Sequence, residues 1–203
     1  MQPEQVSSYV RPLRSCLFPG YVGLGKILSG GQTGVDQAAL RAASVAGLAI
    51  GGWCPPNREC EGGTIPPVFP LVRTDKERSE LAPDIPRSLR TQWNVRDSDA
   101  TCIIIPGADL LSRHGAGFRY PGRNGPGKGT RWTATCALLF DKPLLIVDPD
   151  DDGASDKITR WVHHLDIRTL NIAGPSERAV PGIGGQAFKI MSRVFQKNSQ
   201  LLR

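Results

Sequence analysis

Short apolar runs alternate along the chain with segments in which apolar residues recur at helical spacing. The apolar runs predict strands at 26–29, 48–53, 100–106, 143–148 and 170–173. Helical spacing predicts helices at 34–46, 87–95, 130–140 and 184–200, and a further stripe through Ile158, Trp161, Val162 and Leu165. The run at 100–106 is apolar without alternation, which is typical of a strand buried on both faces. The pattern therefore predicts an α/β fold, doubly wound, with a mostly parallel sheet of about five strands and helices on both faces.

Length and composition favour a single domain with an appended arm. The 203 residues suffice for one continuous core, and they divide into an arm of unassigned role at 1–25 and one domain at 26–203. No apolar run approaches the roughly 20 residues that span a bilayer, so we expect no membrane insertion. The five cysteines favour reduced thiols, and residues 1–25 lack an apolar signal core, so we expect a cytoplasmic protein.

The net charge of +6 is concentrated in a basic, glycine-rich insertion at about 110–127 and the helix start that follows it. Five cations lie there with no acid between them: Arg113, Arg119, Arg123, Lys128 and Arg131. This concentration indicates either a bound anion or a solvated loop. A nucleic-acid-binding module is a further hypothesis, less favoured because the excess charge lies in one segment.

The turn after the first predicted strand is a candidate phosphate-binding site. In doubly wound sheets, ligands bind where the carboxyl ends of strands lead into helices, and helix-start amides favour anions. The candidates here are Ser29, Gly30, Gly31, Gln32, Thr33, Gly34 and Asp36. Replacement of Gly31 by valine is predicted to obstruct a ligand with little loss of stability. The alternative is structural: Thr33 and Asp36 have the spacing of a capping box.

Further candidates follow the other predicted strands and begin a helix. They are Gly107, Asp148, Gly174, Pro175, Ser176 and Glu177 at strand ends, and Lys128, Gly129 and Thr130 at the helix start. Gly122 and Lys128 have the spacing of a P-loop, but Gly129 stands where that motif needs serine or threonine. Thr130 is instead predicted to cap the helix.

Two carboxylates are candidates for acid–base work, and metal sites are disfavoured. Asp36 and Glu177 are the candidate catalytic residues, although Glu177 could equally be a first-turn helix charge. The cysteine spacing and the adjacent His163 and His164 do not favour a metal bound directly by the protein.

An ordered set of motifs resembles the circularly permuted YpsA branch of the SLOG superfamily, whose members carry the name molybdenum carrier protein. The motifs lie at 29–40, 51–55, 90–99, 142–148 and 170–177, closing with 181–183, and the resemblance covers 26–195. It implies a Rossmann-like fold, glycine turns that bind a nucleotide or nucleotide-derived ligand, and a homo-oligomer. Arg90 and Asn94, one helical turn apart, are expected to face one ligand or a partner subunit, and Asp97 to Asp99 to form a structural turn.

One departure from the related phosphoribohydrolase pattern bears on function. Where those enzymes carry an acid after a Gly-Thr turn, this chain has Thr135, which weakens the case for cleaving a glycosidic bond. We expect a binding or carrier protein for an anionic, phosphorylated, nucleotide-like small molecule, with the molybdenum cofactor or a nucleotide as ligand. The alternative is a nucleoside-phosphate N-glycosidic hydrolase.

Overall fold

The computed structural model describes residues 23–108 and 127–201. Most of the predicted arm and all but Gly127 of the predicted insertion lie outside these ranges. The roles expected of Arg113, Arg119 and Arg123 therefore also lie outside the described residues.

A five-stranded parallel sheet forms the centre of the described structure. Its strands are β1 (Lys26–Leu28), β2 (Ala49–Gly51), β7 (Ala100–Ile104), β8 (Leu144–Val147) and β9 (Thr169–Ala173). They lie in the order β2-β1-β9-β7-β8, with every neighbouring pair parallel. Because β9 is paired with β1 on one side and β7 on the other, the turns that follow β1 and β9 lie side by side. This sheet confirms the predicted fold class.

Helices cover both faces of the sheet. They are α1 (Val35–Val45), α2 (Ser88–Arg96), α3 (Lys128–Leu139), α4 (Ala154–His164) and α5 (Ile183–Leu201). Successive residues of β7 point to opposite faces of the sheet. Ile104 belongs to the core beneath α1, α4 and α5, whereas Ile103 packs with Ala134 of α3 on the other face. The α2 helix packs against α3 on that second face. The predicted helices are thus all present.

The segment at 53–73 has more structure than the sequence predicted. The predicted strand at 48–53 ends early, and two small sheets follow: β3 (Trp53–Cys54) pairs with β6 (Val72–Arg73), and β4 (Glu59–Cys60) with β5 (Gly63–Thr64). Gly52 separates β2 from β3. Its φ is 129°, and a Cβ there would lie 2.3 Å from the Ser29 carbonyl oxygen, so a larger residue would not fit at this position. The small sheets cover an apolar cluster that comprises Leu40, Cys54, Cys60, Ile65, Phe69 and Leu71.

The amphipathic stripes are mostly placed as predicted. In α5, the residues Ala187, Met191, Val194 and Phe195 are buried. Leu165 is an exception, because α4 ends at His164 and leaves this side chain 42% exposed. Across residues 23–108 and 127–201, no helix has both the length and the apolar character needed to cross a bilayer.

Candidate functional site

A cavity of about 240 Å³ lies at the carboxyl ends of β1 and β9, with α2 and the start of α3 forming its other walls. Its lining residues come from four segments of the chain: Gly30, Gln32 and Asp36; Pro86, Arg87, Arg90, Thr91 and Asn94; Gly127, Gly129, Thr130 and Thr133; and Asn171 to Ser176 with Ala179 and Val180. The position agrees with the general rule for ligand sites in doubly wound sheets.

In the turn after β1, several backbone amides donate to acceptors within the protein. The Gln32 amide donates to Asp36 Oδ2 at 3.1 Å, and the Thr33 amide donates to Gln32 Oε1 at 3.0 Å. The Val35 amide donates to the Pro175 carbonyl at 3.3 Å, which joins this turn to the one after β9. The N–H groups of Gln32 and Thr33, predicted to hold a phosphate, are therefore bonded within the protein.

Two glycines of this turn are required by packing. Gly34 has φ at 80°, and a Cβ there would lie 2.6 Å from both the Pro175 carbonyl oxygen and the Glu177 nitrogen. A Cβ on Gly31, where φ is 76°, would lie 2.5 Å from Cδ1 of the buried Leu71. Gly31 thus points toward the apolar cluster and away from the cavity. Because of this contact and the positive φ, replacing Gly31 by valine is expected to lower stability, contrary to that part of the prediction. An effect on ligand binding stays a prediction.

The predicted capping box is also wrong. The N-cap of α1 is Gly34, and the Thr33 hydroxyl donates to Glu61 Oε1 at 2.8 Å, across to the β4–β5 hairpin. Glu61 also accepts from the Arg178 amide. Burial opposes ionisation of Glu61, but the hydrogen bonds from Arg178, Thr33 and Ser176 outweigh it and lower the pKa of this carboxyl.

Asp36 forms an ion pair with Arg90 at the cavity wall. Arg90 Nη1 lies 3.2 Å from Asp36 Oδ2, and the two side chains are 13% and 8% exposed. Burial raises the pKa of Asp36, although Arg90, the Gln32 amide and Ser29 act in the opposite direction. Gly30 makes room for the pair, because a Cβ there would lie only 1.7 Å from Arg90 Nη1.

The α2 wall is more polar than the sequence indicated. Arg87 precedes α2 with φ at 59°, a left-handed conformation that is uncommon for a residue other than glycine. Asn94 accepts from the Trp53 amide at 2.8 Å and donates to the Trp53 carbonyl at 3.0 Å, so its amide attaches β3 to α2. Arg90 and Asn94 both line the cavity, the arrangement expected if they face one ligand.

The described residues leave the glycines at the start of α3 without close neighbours. The helix begins at Lys128 with Gly127 as N-cap, two residues earlier than predicted, so Thr130 lies in the first turn and is not the cap. The first amides of a helix have no partner within it, and the helix dipole favours an anion beside them. Among residues 23–108 and 127–201, nothing lies within 4 Å of where a Cβ on Gly127 or Gly129 would be. The Trp132 indole donates to the Ser88 carbonyl at 3.0 Å and attaches α3 to α2.

Sequence comparisons agree with this architecture. The model of the circularly permuted YpsA SLOG family matches residues 27–195. The chain belongs to that family. Among solved structures, it is similar to the putative molybdenum carrier protein from Syntrophus aciditrophicus SB, at 33% identity and a TM-score of 0.67, covering 85% of this chain and 95% of that one. A search of curated proteins finds no match.

Within this family member, the predicted site residues fall into two sets. The cavity brings together Gly30, Gln32, Asp36, Gly129, Thr130, Gly174, Pro175 and Ser176. The lining does not include Ser29, Gly31, Thr33, Gly34, Gly107, Lys128, Asp148 or Glu177. Ser29, for example, is fully buried and donates its hydroxyl to the Ile172 carbonyl, which ties β1 to β9.

The two acidic candidates at strand ends have structural partners. Glu177 accepts from the amides of Gly182 and Gly184 and thereby caps the start of α5. Asp148 accepts from the amides of Gly107 and Ala108 and holds the end of the segment that follows β7. Neither carboxylate is among the cavity-lining groups of the described residues.

Several lining residues were not predicted. Among them, Arg87, Thr91 and Asn171 are polar, and Asn171 donates to the Thr101 hydroxyl at 3.2 Å. An asparagine within the apolar run of β9 was the available signal, because a polar residue in a buried strand needs a partner or a ligand. As predicted, Asp99 is structural, since its carboxylate accepts from the Arg168 and Thr169 amides.

Within the two described ranges, no group of three or more His, Cys, Asp or Glu side chains is arranged to hold a metal ion. Cys54, Cys60, Cys102 and Cys136 are buried, and none of them lines the cavity. Burial raises the pKa of Cys102 and of Cys136 to about 12.

Proposed function

We propose that this chain binds and carries a phosphorylated, nucleotide-like small molecule, with the molybdenum cofactor as a candidate cargo. The observation that carries the proposal is that one cavity brings together the first-turn amides of α3, for which the described residues supply no partner, and the guanidinium of Arg90, which also has a donor without a partner among those residues. Among the described residues, Arg90 Nε is buried and has no hydrogen-bond partner. A buried donor without a partner is costly, so a ligand acceptor at this position would be stabilising.

The charge of the cavity supports an anionic ligand. The ionisable lining residues within the described ranges are Asp36, Arg87 and Arg90, which leave one positive charge in excess when all are ionised. Lys128 adds a further exposed cation at the start of α3. Cations and helix-start amides around the same cavity favour a phosphate over a neutral or cationic group.

The donor set is suited to holding the organic part of a molybdenum cargo. Guanidinium groups, amides and hydroxyls bind phosphate and polar ring edges, whereas soft metals prefer thiolates. Because none of the described cysteines lines the cavity, we propose that such a cargo is held through its phosphate and its polar edges, with Asn171 and Thr130 as further contacts.

The size of the cavity limits what it encloses. At about 240 Å³, it lies below the range of about 300–1,000 Å³ typical of small-molecule sites. It is therefore suited to the phosphorylated end of a ligand, and the remainder of a larger ligand would extend through the opening.

A second candidate function is hydrolysis of a nucleoside phosphate at its N-glycosidic bond. The observation in its favour is Asp36, a buried carboxyl in the cavity wall whose pKa is raised by burial, as suits a group that transfers protons. Glu177, the other catalytic candidate, is occupied in capping α5, so any such activity would depend on Asp36.

Calorimetric titration with the five common nucleoside monophosphates, each compared with its unphosphorylated nucleoside, tests the proposal. We expect at least one monophosphate to bind and its nucleoside to bind at least tenfold more weakly, because the phosphate supplies the anionic contacts. Equal affinities for the two forms would contradict the proposal, as would binding of none of them by a protein from which mass spectrometry also recovers no phosphorylated compound. Release of free base during the titration would establish the hydrolase instead.

A further inference from the structure

The ion pair between Asp36 and Arg90 differs from the other ion pairs of the described residues. Those others have both side chains at least 30% exposed, whereas Asp36 and Arg90 are largely buried in the cavity wall. The contact uses a single nitrogen, Arg90 Nη1, at 3.2 Å. Arg90 Nε is buried without a partner among the described residues.

This geometry leaves the guanidinium available to a second anion. A guanidinium presents five donors in a planar fork, and two of them bind two oxygens of a phosphate-like group at once. Asp36 does not depend on Arg90 alone, because it also accepts from the Gln32 amide. A ligand oxyanion could therefore bind Arg90 while Asp36 stays in place.

Two anions beside one buried guanidinium would repel each other. A like charge nearby disfavours ionisation of a carboxyl, and burial acts in the same direction. The electrostatic cost of bringing in the oxyanion is removed if the Asp36 carboxylate takes a proton from solvent as the ligand arrives.

We infer that Asp36 and Arg90 form an exchangeable pair, in which a tetrahedral oxyanion of the ligand takes over the Arg90 guanidinium and Asp36 takes up one proton. Because the exchange takes place in the cavity assigned above to a phosphorylated ligand, it rests on the proposed function. Its consequence is that the site binds dianionic tetrahedral groups more tightly as the pH falls.

The groups that face Asp36 leave few other sources for this pH dependence. On its own side are the Gln32 amide and the Ser29 hydroxyl, and from α2 comes Arg90. Arg87 lines the same cavity. The residues that line the cavity from the start of α3 and from the turn after β9 carry no ionisable side chain. Arginine stays protonated throughout the usual pH range, so Asp36 is the group that titrates among these described residues.

Sulfate is a suitable probe because it remains a dianion over the pH range of the experiment. We would titrate sulfate into the full chain at constant ionic strength between pH 5 and 8, following the arginine Nε–H resonances by NMR. The Arg90 signal is assigned by its loss in Arg90→Lys. It is expected to shift on binding, since the donor gains an acceptor, and the sulfate affinity is expected to rise by up to about tenfold per pH unit as the pH falls, the limit for one proton.

Two variants make the test specific. Asp36→Asn cannot take up the proton, so its sulfate affinity should vary less with pH than that of the wild type. Gly30→Ala keeps every charge but places a methyl group where the Arg90 guanidinium lies, so it should weaken sulfate binding at every pH.

An equal pH dependence of sulfate affinity in the wild type and in Asp36→Asn would overturn the inference. So would an Arg90 Nε–H signal that sulfate leaves unchanged, and this second measurement needs no variant at Asp36. If either result is found while nucleoside monophosphates still bind in preference to nucleosides, the exchange fails and the proposed function stands.

Discussion

Two glycine-rich segments, the turn at 30–34 and the helix start at 127–130, look alike in sequence and differ in structure. In the turn, Gly34 and Gly31 are surrounded by other parts of the protein, and the amides of Gln32 and Thr33 have internal partners. At the helix start, no described residue lies within 4 Å of where a Cβ on residue 127 or 129 would be. Glycine in the first segment serves close packing, and in the second it leaves the helix-start amides accessible.

The largest expected effect is a loss of stability on substitution in the turn at 30–34. Gly34→Ala should lower the free energy of unfolding by about 3 kcal/mol, because it combines a left-handed backbone with contacts of 2.6 Å to the backbone of the turn after β9. Urea unfolding of the ligand-free protein measures this loss.

Gly47→Ala is the matched control. Gly47 has a similar φ of 74°, but a Cβ there meets nothing within 4 Å, so only the backbone strain of about 1–2 kcal/mol is expected. If both variants lost the same stability, close packing at Gly34 would contribute nothing and the two glycine segments would not differ as described.

A smaller effect on stability is expected from Asp36, whose carboxylate accepts from the Gln32 amide in the turn at 30–34. Burial raises the pKa of folded Asp36 above 3.8, so the folded state holds this proton more tightly than the unfolded state does. Its contribution is fully present below about pH 3.8 and is lost as the pH rises through the folded pKa, by at most about 1.4 kcal/mol per pH unit. Asp36→Asn removes this dependence.

Urea unfolding of the wild type and Asp36→Asn between pH 4 and 8 tests the sign. We expect the stability of the wild type to fall relative to that of the variant as the pH rises. A relative gain by the wild type would mean that the attraction of Arg90 outweighs the burial of Asp36.

The smallest expected effect on stability is from substitution in the helix start at 127–130. Gly129→Ala should leave the free energy of unfolding unchanged or raise it by at most about 1 kcal/mol, because alanine is favoured over glycine in a helix and the added methyl group meets no neighbour. A loss of more than about 1 kcal/mol in thermal or urea unfolding would show that position 129 is packed in solution.

The central sheet could be predicted from the sequence, whereas the elements around the cavity could be predicted only in part. The continuous apolar run at 100–106 predicts a buried strand, and the helical spacing of the alanines in α1 predicts a helix. Both elements are present. The strands β3 to β6 have two residues each, too few to show any period. The start of α3 was placed late because Lys128 and Gly129 carry no apolar signal.

The choice between packing and ligand access could not be made from sequence, because it depends on what lies opposite each glycine. Gly30 and Gly31 are adjacent, yet a Cβ on Gly30 would meet Arg90 at the cavity, and one on Gly31 would meet Leu71 in the apolar cluster. Both partners are distant in sequence. For the same reason Glu177 seemed a candidate acid, although its carboxylate caps a helix that begins six residues later.

Titration of Gly129→Asp and Gly185→Asp with the nucleoside monophosphate that the wild type binds most tightly tests most directly whether the start of α3 receives the anion. Both glycines lie near a helix start with open space at the Cβ position, and Gly185, on α5, is outside the cavity lining. An aspartate is tolerated near either helix start but repels a phosphate only where one binds. We predict that Gly129→Asp weakens binding of this monophosphate at least tenfold, while Gly185→Asp binds it like the wild type. Equal affinities in the two variants would contradict the assignment of the open helix start as the anion site.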